Sequence, residues 1–442
     1  MLQKVNDYAA RMESVCREND SIAPELYVEY GVNKGLRDEN GNGVLTGLTN
    51  ISKITSSQVI DGKKVPCDGQ LWYRGYPVEA LIEDLGDSLG FERIAYLLLM
   101  GNMPDRERET EFQELVSNLR TLPTNFVRDV IMKAPSHDIM NSMTKSILTL
   151  ASYDEMILDS SVSNSLSQCI RLISEFPMLA VYAYNSYLHY ELGDSLYIHF
   201  PEHGLSTAEN LLRILRPDKQ YTKTEAKVLD TALILHMEHG GGNNSTFTTR
   251  VVTSTGSDTY STIAAAMSSL KGPKHGGANI KVMEMMEDIR SHVSDYSDEE
   301  EVSRYLRKIV DGDAFDGNGL IYGMGHAIYS LSDPRERVLR SFVEKLAEEK
   351  GRQRDLVLYE NIEKTAPQVI AEKRRIYKGV SPNVDFYSGF VYEMLGIPKE
   401  LYTAFFAIAR IVGWSAHRIE EMICMDKIIR PAYMSVMKEK NI

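Results

Sequence analysis

Helical periodicity with clear start and stop signals extends from about residue 78 to near the C-terminus, and it constrains the fold more than any other feature. Phe112, Val116 and Leu119 recur at the three- and four-residue spacing that lines one face of a helix. Thr222 and Glu225 have the spacing of a capping box, in which each residue satisfies a free backbone N–H at a helix start. We therefore predict a mainly α-helical protein.

The same signals predict where individual helices begin and end. The helix that starts at Thr222 is predicted to run to His239 and to stop at the three glycines that follow. Asp333-Pro334 is typical of a helix start, and Gly351 is typical of the corresponding end.

Strand-like alternation of apolar and polar residues is confined to the first 75 residues, in the stretches 44–54 and 69–77. This pattern predicts small hairpins without a central sheet. Polar, Gly-rich breaks later in the chain divide the helical part. We predict an N-terminal extension with short strands at 1–70, a large helical domain formed by 71–281 and 386–442, and a small helical domain at 282–385.

The chain is acidic, since 49 Lys and Arg against 62 Asp and Glu leave a formal net charge of −13. Such a surface does not favour nucleic acid, and it repels small anions, so an anion must be bound locally by Arg, His or helix N-termini. The four cysteines are widely separated and form neither a disulfide framework nor a zinc motif. No apolar run approaches the roughly 18 residues that span a bilayer, so we expect a cytoplasmic protein without a membrane partner.

Three histidines, His239, His275 and His326, lie in unusually Gly-rich surroundings, where the backbone can approach a ligand closely. Taken singly, each is also compatible with a helix cap or a satisfied core histidine. His275 falls between two predicted helices, and the positive potential of the second helix start disfavours an imidazolium. We expect a neutral hydrogen-bond donor, which suits a carbonyl that becomes an enolate.

Asp385 is the candidate base, although an Asp just before a helix is also a common N-cap. Arg335, Arg410 and Arg430 lie in or beside apolar helical stretches. Guanidinium groups bind carboxylates through two parallel hydrogen bonds, so these arginines are candidate carboxylate ligands, with solvated or structurally paired side chains as the alternative.

These residues lie in motifs that resemble the citrate synthase family from about residue 70 onward. The motifs are LWYRGYPVEAL, HGGGNNSTFTTRVV, SLKGPKHGGAN, GMGHAIY followed by DPR, NVDFYSG, and ARIVGW followed by RP. The resemblance implies a mainly α, citrate-synthase-like two-domain helical fold with a small N-terminal β element. It also implies that acetyl-CoA and oxaloacetate condense to citryl-CoA, which water cleaves, with no cofactor besides acetyl-CoA as substrate.

The resemblance also implies roles for individual residues. His275 would hydrogen-bond the thioester oxygen of acetyl-CoA, Asp385 would remove a methyl proton, and His326 would polarise the ketone of oxaloacetate. The matches to the family's oxaloacetate and citrate ligands are His239, Arg335, Arg410 and Arg430. Arg430 matches the ligand that crosses the dimer interface, so the resemblance implies a homodimer with shared sites.

The CoA site is the part that departs from the family. Many members have a Lys or Arg that helps to hold the CoA phosphates where this chain has Ser330. The backbone of Gly323, Met324 and Gly325 matches the loop against which the CoA adenine packs. The basic candidates for the phosphates, each equally well an ordinary solvated charge, are Lys271, Lys274, Arg374, Arg375 and Lys378.

Three alternatives stay open at this point. A 2-methylcitrate synthase would differ only in using propionyl-CoA, and one methylene is worth about 1–3 kcal/mol in an apolar pocket. A metal-dependent hydrolase would use His236 and His239, with Glu238 adjacent, but no third ligand has suitable spacing, and no metal site is predicted. A non-catalytic helical scaffold would leave the three Gly-flanked histidines and Asp385 unexplained.

Overall fold

The computed structural model of the chain describes residues 2–38, 42–325, 328–329, 331–373, 379–424 and 427–437. Its contacts separate two units, Met1–Leu48 and Thr49–Ile442. The first unit contains helices α1 (Leu2–Asp20) and α2 (Pro24–Glu29), neither of which has a buried residue. The predicted boundaries of a large and a small helical domain within the second unit stay a prediction.

The second unit begins with an antiparallel sheet of three strands, β1 (Ser52–Ile60), β2 (Lys63–Tyr73) and β3 (Tyr76–Pro77), in the order β1-β2-β3. Ser52 lies opposite Tyr73, the last residue of β2. The prediction that a strand begins at residue 44 is wrong. Because β2 ends at Tyr73, opposite Ser52, residues 44–51 have no strand of the described chain opposite them.

Helices make up most of the remaining chain, which confirms the predicted fold class. They are α3 (Val78–Leu85), α4 (Phe91–Met100), α5 (Arg106–Asn118), α6 (Ile139–Leu150), α7 (Val162–Leu192), α8 (Thr207–Leu215), α9 (Lys223–His236), α10 (Asn244–Thr253), α11 (Thr259–Leu270), α12 (Ala278–His292), α13 (Glu299–Asp311), α14 (Pro334–Lys350), α15 (Gln353–Lys373), α16 (Val384–Met394) and α17 (Tyr402–Cys424). Short helical turns lie at Lys34–Leu36, Val127–Ile131, Ala151–Tyr153 and Lys399–Leu401.

The residues predicted to begin helices form capping hydrogen bonds in the structure. The hydroxyl of Thr222 accepts from the Glu225 N–H at 3.1 Å, and the Glu225 carboxylate accepts from the Thr222 N–H at 2.8 Å. Asp333 caps α14 by accepting from the Arg335 N–H at 3.0 Å, and Gly351 ends that helix with a φ of 66°. These starts and stops are therefore confirmed.

Helix α17 is the central element of the core. It packs against α4, α7, α9 and α10, and its residues from Tyr402 to Glu421 are almost all buried. This burial brings Arg410 into the interior, where Trp414 and Arg410 are the two largest fully buried side chains. Within the described part of the chain, no helix is both long enough and apolar enough to cross a membrane.

Candidate active site

Several segments of the second unit meet around the ring of Phe406 on α17. This ring lies edge-on to His236, with ring centroids 5.0 Å apart, and edge-on to His275, with centroids 6.5 Å apart. The guanidinium carbon of Arg410 lies 4.7 Å from the centre of the same ring. Phe406 thus brings the end of α9, the turn before α12 and the middle of α17 to one place.

His275 lies in the turn between α11 and α12. Its Nε2 is 3.0 Å from the hydroxyl of Ser245 and 3.4 Å from the backbone nitrogen of Ser245. A backbone N–H can only donate, so Nε2 is the acceptor and the ring proton is on Nδ1. Burial, reinforced by the charge of Arg410, lowers the pKa of His275 to about 4. The imidazole is therefore a neutral N–H donor near pH 7.

The turn that carries His275 depends on a glycine. A Cβ at Gly276 would lie only 2.3 Å from the carbonyl oxygen of Leu270, so no other residue fits there without a shift of the backbone. Trp414 supports the other side of the contact, because its indole N–H donates to the Ser245 hydroxyl at 3.1 Å. The orientation of the His275 ring is therefore set by two helices and a tight turn.

Asp385 is not the N-cap of α16, so that interpretation is wrong. Asn383 is the cap, and its side-chain oxygen accepts from the Asp385 N–H at 2.9 Å. Among the described residues, no hydrogen bond to the Asp385 carboxylate is found. Burial raises the pKa of this carboxyl to about 6; the charge of Arg335 opposes the shift and the charge of Asp333 adds to it.

Asn383 also ties the start of α16 to the glycine-rich loop that precedes His326. Its backbone N–H donates to the Gly323 carbonyl at 2.9 Å, and its amide donates to the Gly325 carbonyl at 2.8 Å. Gly323 and Gly325 have φ values of 81° and 84°, which glycine adopts without strain. The predicted CoA-adenine loop and the predicted base are therefore held by one side chain.

Arg335 and Arg410 are both buried, as expected for ligands of an anion in a protein with an acidic surface. Arg335 binds Asp333 through two nitrogens, at 3.0 and 2.7 Å. Arg410 donates through Nε to the carbonyl of His236 at 2.7 Å, whereas its buried Nη1 has no hydrogen-bond partner among the described residues. An unpaired buried donor on a cation is costly, and an incoming carboxylate would remove that cost.

His239 lies beyond α9, which ends three residues earlier than predicted, at His236. The hydroxyl of Tyr73 on β2 donates to the carbonyls of Ile234 and Glu238, at 3.0 and 3.2 Å, and so satisfies groups that another turn of helix would use. The chain is then free to turn, and the imidazole of His239 approaches the Tyr329 hydroxyl, with 3.3 Å between Nε2 and the oxygen.

The end of α9 at His236 removes the basis of the metal-hydrolase alternative, in which His236 and His239 lie on one helix. The Nδ1 of His236 is 2.7 Å from the Ala232 carbonyl, and burial lowers the pKa of this histidine to about 3. In the described ranges, no three His, Cys, Asp or Glu side chains are grouped so that they could hold a metal ion.

The remaining candidates differ in how far the structure describes them. The candidates outside the described residues are His326, Ser330, Arg374, Arg375 and Lys378, whereas Lys274 is described and exposed. Lys271, half-exposed, has its ammonium group 2.5 Å from the carboxylate of Asp138. Arg430 is exposed, in a non-helical segment whose neighbour Ile429 donates its backbone N–H to the Ser254 hydroxyl at 3.1 Å.

Sequence reasoning missed a buried polar chain behind His239. Arg250 donates to Nδ1 of His417 at 2.8 Å, so the His417 proton lies on Nε2 and is donated to Glu238 at 3.0 Å. Burial would raise the pKa of Glu238, but His417 and Arg410 together hold it at about 2. Only the adjacency of Glu238 to His239 gave a signal; nothing in the sequence pointed to His417.

Comparison with known proteins identifies relatives along most of the chain. Residues 40–432 match the family model described as citrate synthase, C-terminal domain. A citrate synthase from Synechocystis sp. is 34% identical over 84% of this chain and 85% of its own, and a 2-methylcitrate synthase from Shewanella oneidensis is 31% identical over 84% and 90%. Citrate synthase from Thermoplasma acidophilum, solved as a ternary complex with carboxymethyl coenzyme A and oxaloacetate, superimposes with a TM-score of 0.75 at 26% identity, covering 92% of this chain and 97% of that one.

Proposed function

The chain belongs to the citrate synthase family of acyltransferases, and from that premise we propose that it condenses acetyl-CoA with oxaloacetate and hydrolyses citryl-CoA to citrate and CoA. One observation carries the proposal. The neutral imidazole of His275 and the buried guanidinium of Arg410 lie against the same ring, Phe406, and the charge of Arg410 also lowers the pKa of Asp385, whose carboxylate makes no hydrogen bond to a described residue.

The first step removes a proton from the methyl carbon of the acetyl group. For an ordinary carboxylate this transfer is uphill by on the order of 20 kcal/mol. The rise in the pKa of Asp385 from 3.8 to about 6 offsets about 3 kcal/mol of this. Most of the remainder must come from the N–H of His275, which would stabilise the negative charge that develops on the thioester oxygen, and from exclusion of water.

The second step forms the new carbon–carbon bond. The enolate carbon attacks the ketone of oxaloacetate, which His326 would polarise according to the family resemblance, and the ketone oxygen takes up a proton. Arg410, Arg335 and His239 would hold the carboxylates of oxaloacetate so that the ketone faces the nucleophile. Water then cleaves the thioester of citryl-CoA and releases CoA as the thiol. The proposal includes no metal or organic cofactor.

Propionyl-CoA is the second candidate acyl donor, because relatives at about 30% identity include 2-methylcitrate synthases as well as citrate synthases. The two reactions differ by one methylene, so a single pocket can use both with a modest difference in kcat/KM. The same residues would act in both reactions.

A thiol-release assay with oxaloacetate and either acetyl-CoA or propionyl-CoA tests both candidates. We expect kcat/KM to be at least tenfold higher with acetyl-CoA, on the scale of about 1–3 kcal/mol per methylene. A preference for propionyl-CoA would establish the second candidate. Absence of oxaloacetate-dependent thiol release with both donors would overturn the proposal. Activity that persists in a metal chelator is expected as well.

A further inference from the structure

Tyr329 contacts two of the candidate oxaloacetate ligands, His239 and Arg335. Its hydroxyl is 3.3 Å from Nε2 of His239, and the two rings meet edge-on with centroids 5.5 Å apart. The guanidinium carbon of Arg335 lies 5.9 Å from the centre of its ring. Tyr329 is only 2% exposed, so these contacts are made in the interior, where a hydrogen bond is shielded from water.

The ring of Tyr329 rests directly on the backbone of β2. A Cβ at Gly69 would lie 2.5 Å from a carbon of the Tyr329 ring and 2.2 Å from the carbonyl oxygen of Ser332. The Gly69 N–H donates to that carbonyl at 3.1 Å. Only a residue without a side chain allows the ring and the strand to approach this closely. The ring of Tyr329 therefore packs directly on the backbone of Gly69.

An outer set of contacts fastens the same junction. Arg337 donates to the Ser332 hydroxyl at 2.9 Å and to the Glu79 carboxylate at 2.6 Å. The Ser332 hydroxyl in turn donates to the carboxylate of Asp68, next to Gly69, at 2.8 Å. Ser332 and Arg337, which follow Tyr329 in the chain, are therefore bound to Asp68 of β2, next to Gly69, and to Glu79 of α3.

We propose that Tyr329 is a positioning residue for oxaloacetate, whose hydroxyl orients the His239 imidazole and whose ring is held in place by Gly69 of β2. The inference rests on the proposed function, in which His239 is an oxaloacetate ligand. Burial raises the pKa of the Tyr329 phenol, so it stays protonated and can form the hydrogen bond in either tautomer of His239. The β hairpin, where no site residue was predicted, is then part of the substrate-binding machinery.

Tyr329→Phe removes the hydroxyl and keeps the ring. Without this hydrogen bond, the His239 imidazole is held less firmly in the orientation that binds oxaloacetate. We expect the KM and the calorimetric Kd for oxaloacetate to rise by about five- to tenfold, the scale of one hydrogen bond. We expect kcat, the KM for acetyl-CoA and Tm to stay close to those of the wild-type protein. If Tyr329 had only a structural role, its loss would change all of these quantities.

Gly69→Ala tests the packing of the Tyr329 ring on β2, and this variant has a matched control. The new methyl group would displace Tyr329, so the KM for oxaloacetate should rise in the same direction as in Tyr329→Phe. Gly47→Ala makes the same chemical change at a position where a Cβ meets no described atom within 4 Å and φ is not positive. The control should leave the KM for oxaloacetate unchanged.

Direct binding separates the possible outcomes. Unchanged Kd and KM for oxaloacetate in Tyr329→Phe, in an active wild-type background, would overturn the positioning role and leave the proposed function intact. If Tyr329→Phe raises the Kd for oxaloacetate but the wild-type protein releases no thiol, the positioning role is supported and the proposed function is overturned. Failure of the wild-type protein to bind oxaloacetate would overturn both.

Discussion

Among single residues, Asp385 can act as a base because its neighbour Asn383, and not Asp385 itself, caps the start of α16. Asn383 caps the helix and anchors the Gly323–Gly325 loop, so the Asp385 carboxylate is left without a hydrogen bond from a described residue. Burial, which outweighs the nearby guanidinium of Arg335, raises its pKa to about 6. The result is a stronger base than an exposed carboxylate.

Asp385→Asn should reduce condensation by at least about a thousandfold, because the amide cannot accept the methyl proton. Oxaloacetate binding should persist within about threefold, since the change is nearly isosteric and the arginines are untouched. Thiol release and calorimetry measure the two quantities. Loss of oxaloacetate binding together with activity would count against the assigned role.

The pH dependence of kcat/KM for acetyl-CoA should have an acid limb near pH 6. The base acts only when ionised, and the pKa of Asp385 is about 6, so activity falls as the pH decreases through this value. The pKa of His275 is about 4, so its neutral form persists through the same range and does not set the limb. Initial rates between about pH 4.5 and 8 measure the profile; a limb near pH 4 would contradict the prediction.

Among the helices, α16 is the one whose start contains both a helix cap, Asn383, and the candidate base, Asp385. Replacing a capping Asn by Ala costs about 1 kcal/mol of stability. In Asn383→Ala the same change also releases Asp385 and the carbonyl of Gly325. We therefore expect kcat to fall by about tenfold or more in addition to the lower Tm, because small displacements of catalytic groups are costly.

Ser206→Ala is the matched control. Ser206 caps α8 through a full capping box, and no residue placed in the site belongs to that helix. Its loss should lower Tm by a similar amount with kcat unchanged. Equal effects of the two variants on kcat would show that Asn383 acts only through stability.

At the scale of the whole molecule, we propose that the site is completed by Arg430 of the partner subunit. Arg430 is exposed, outside the helices, which suits a residue that acts on another chain. Arg430→Ala and His275→Ala should each be inactive alone. After mixing and subunit exchange, about a quarter of the sites should regain activity, because half of the dimers are hybrids with one intact site each. Verified exchange without recovery would rule out a shared site.

Sequence patterns alone predicted the helical class, the location of the strands before the helical part of the second unit, and the starts of helices at Thr222 and Asp333. These features depend on hydrogen bonds and apolar spacing within a few residues, so they can be derived locally. The Gly-rich surroundings and the residue types pointed to His275, Asp385 and the arginines, and the family resemblance, carried by several motifs in order, gave each a role.

The end of α9, the binding of the Glu238 carboxylate by His417 and the contacts that hold Tyr329 could be read only from the folded chain. Tyr73 ends α9 from 161 residues away, His417 binds Glu238 across 179 residues, and Gly69 contacts a ring far along the chain. Local propensity contains no information on such pairs, because packing of the whole core decides which distant groups meet and which buried polar atoms are left for a substrate.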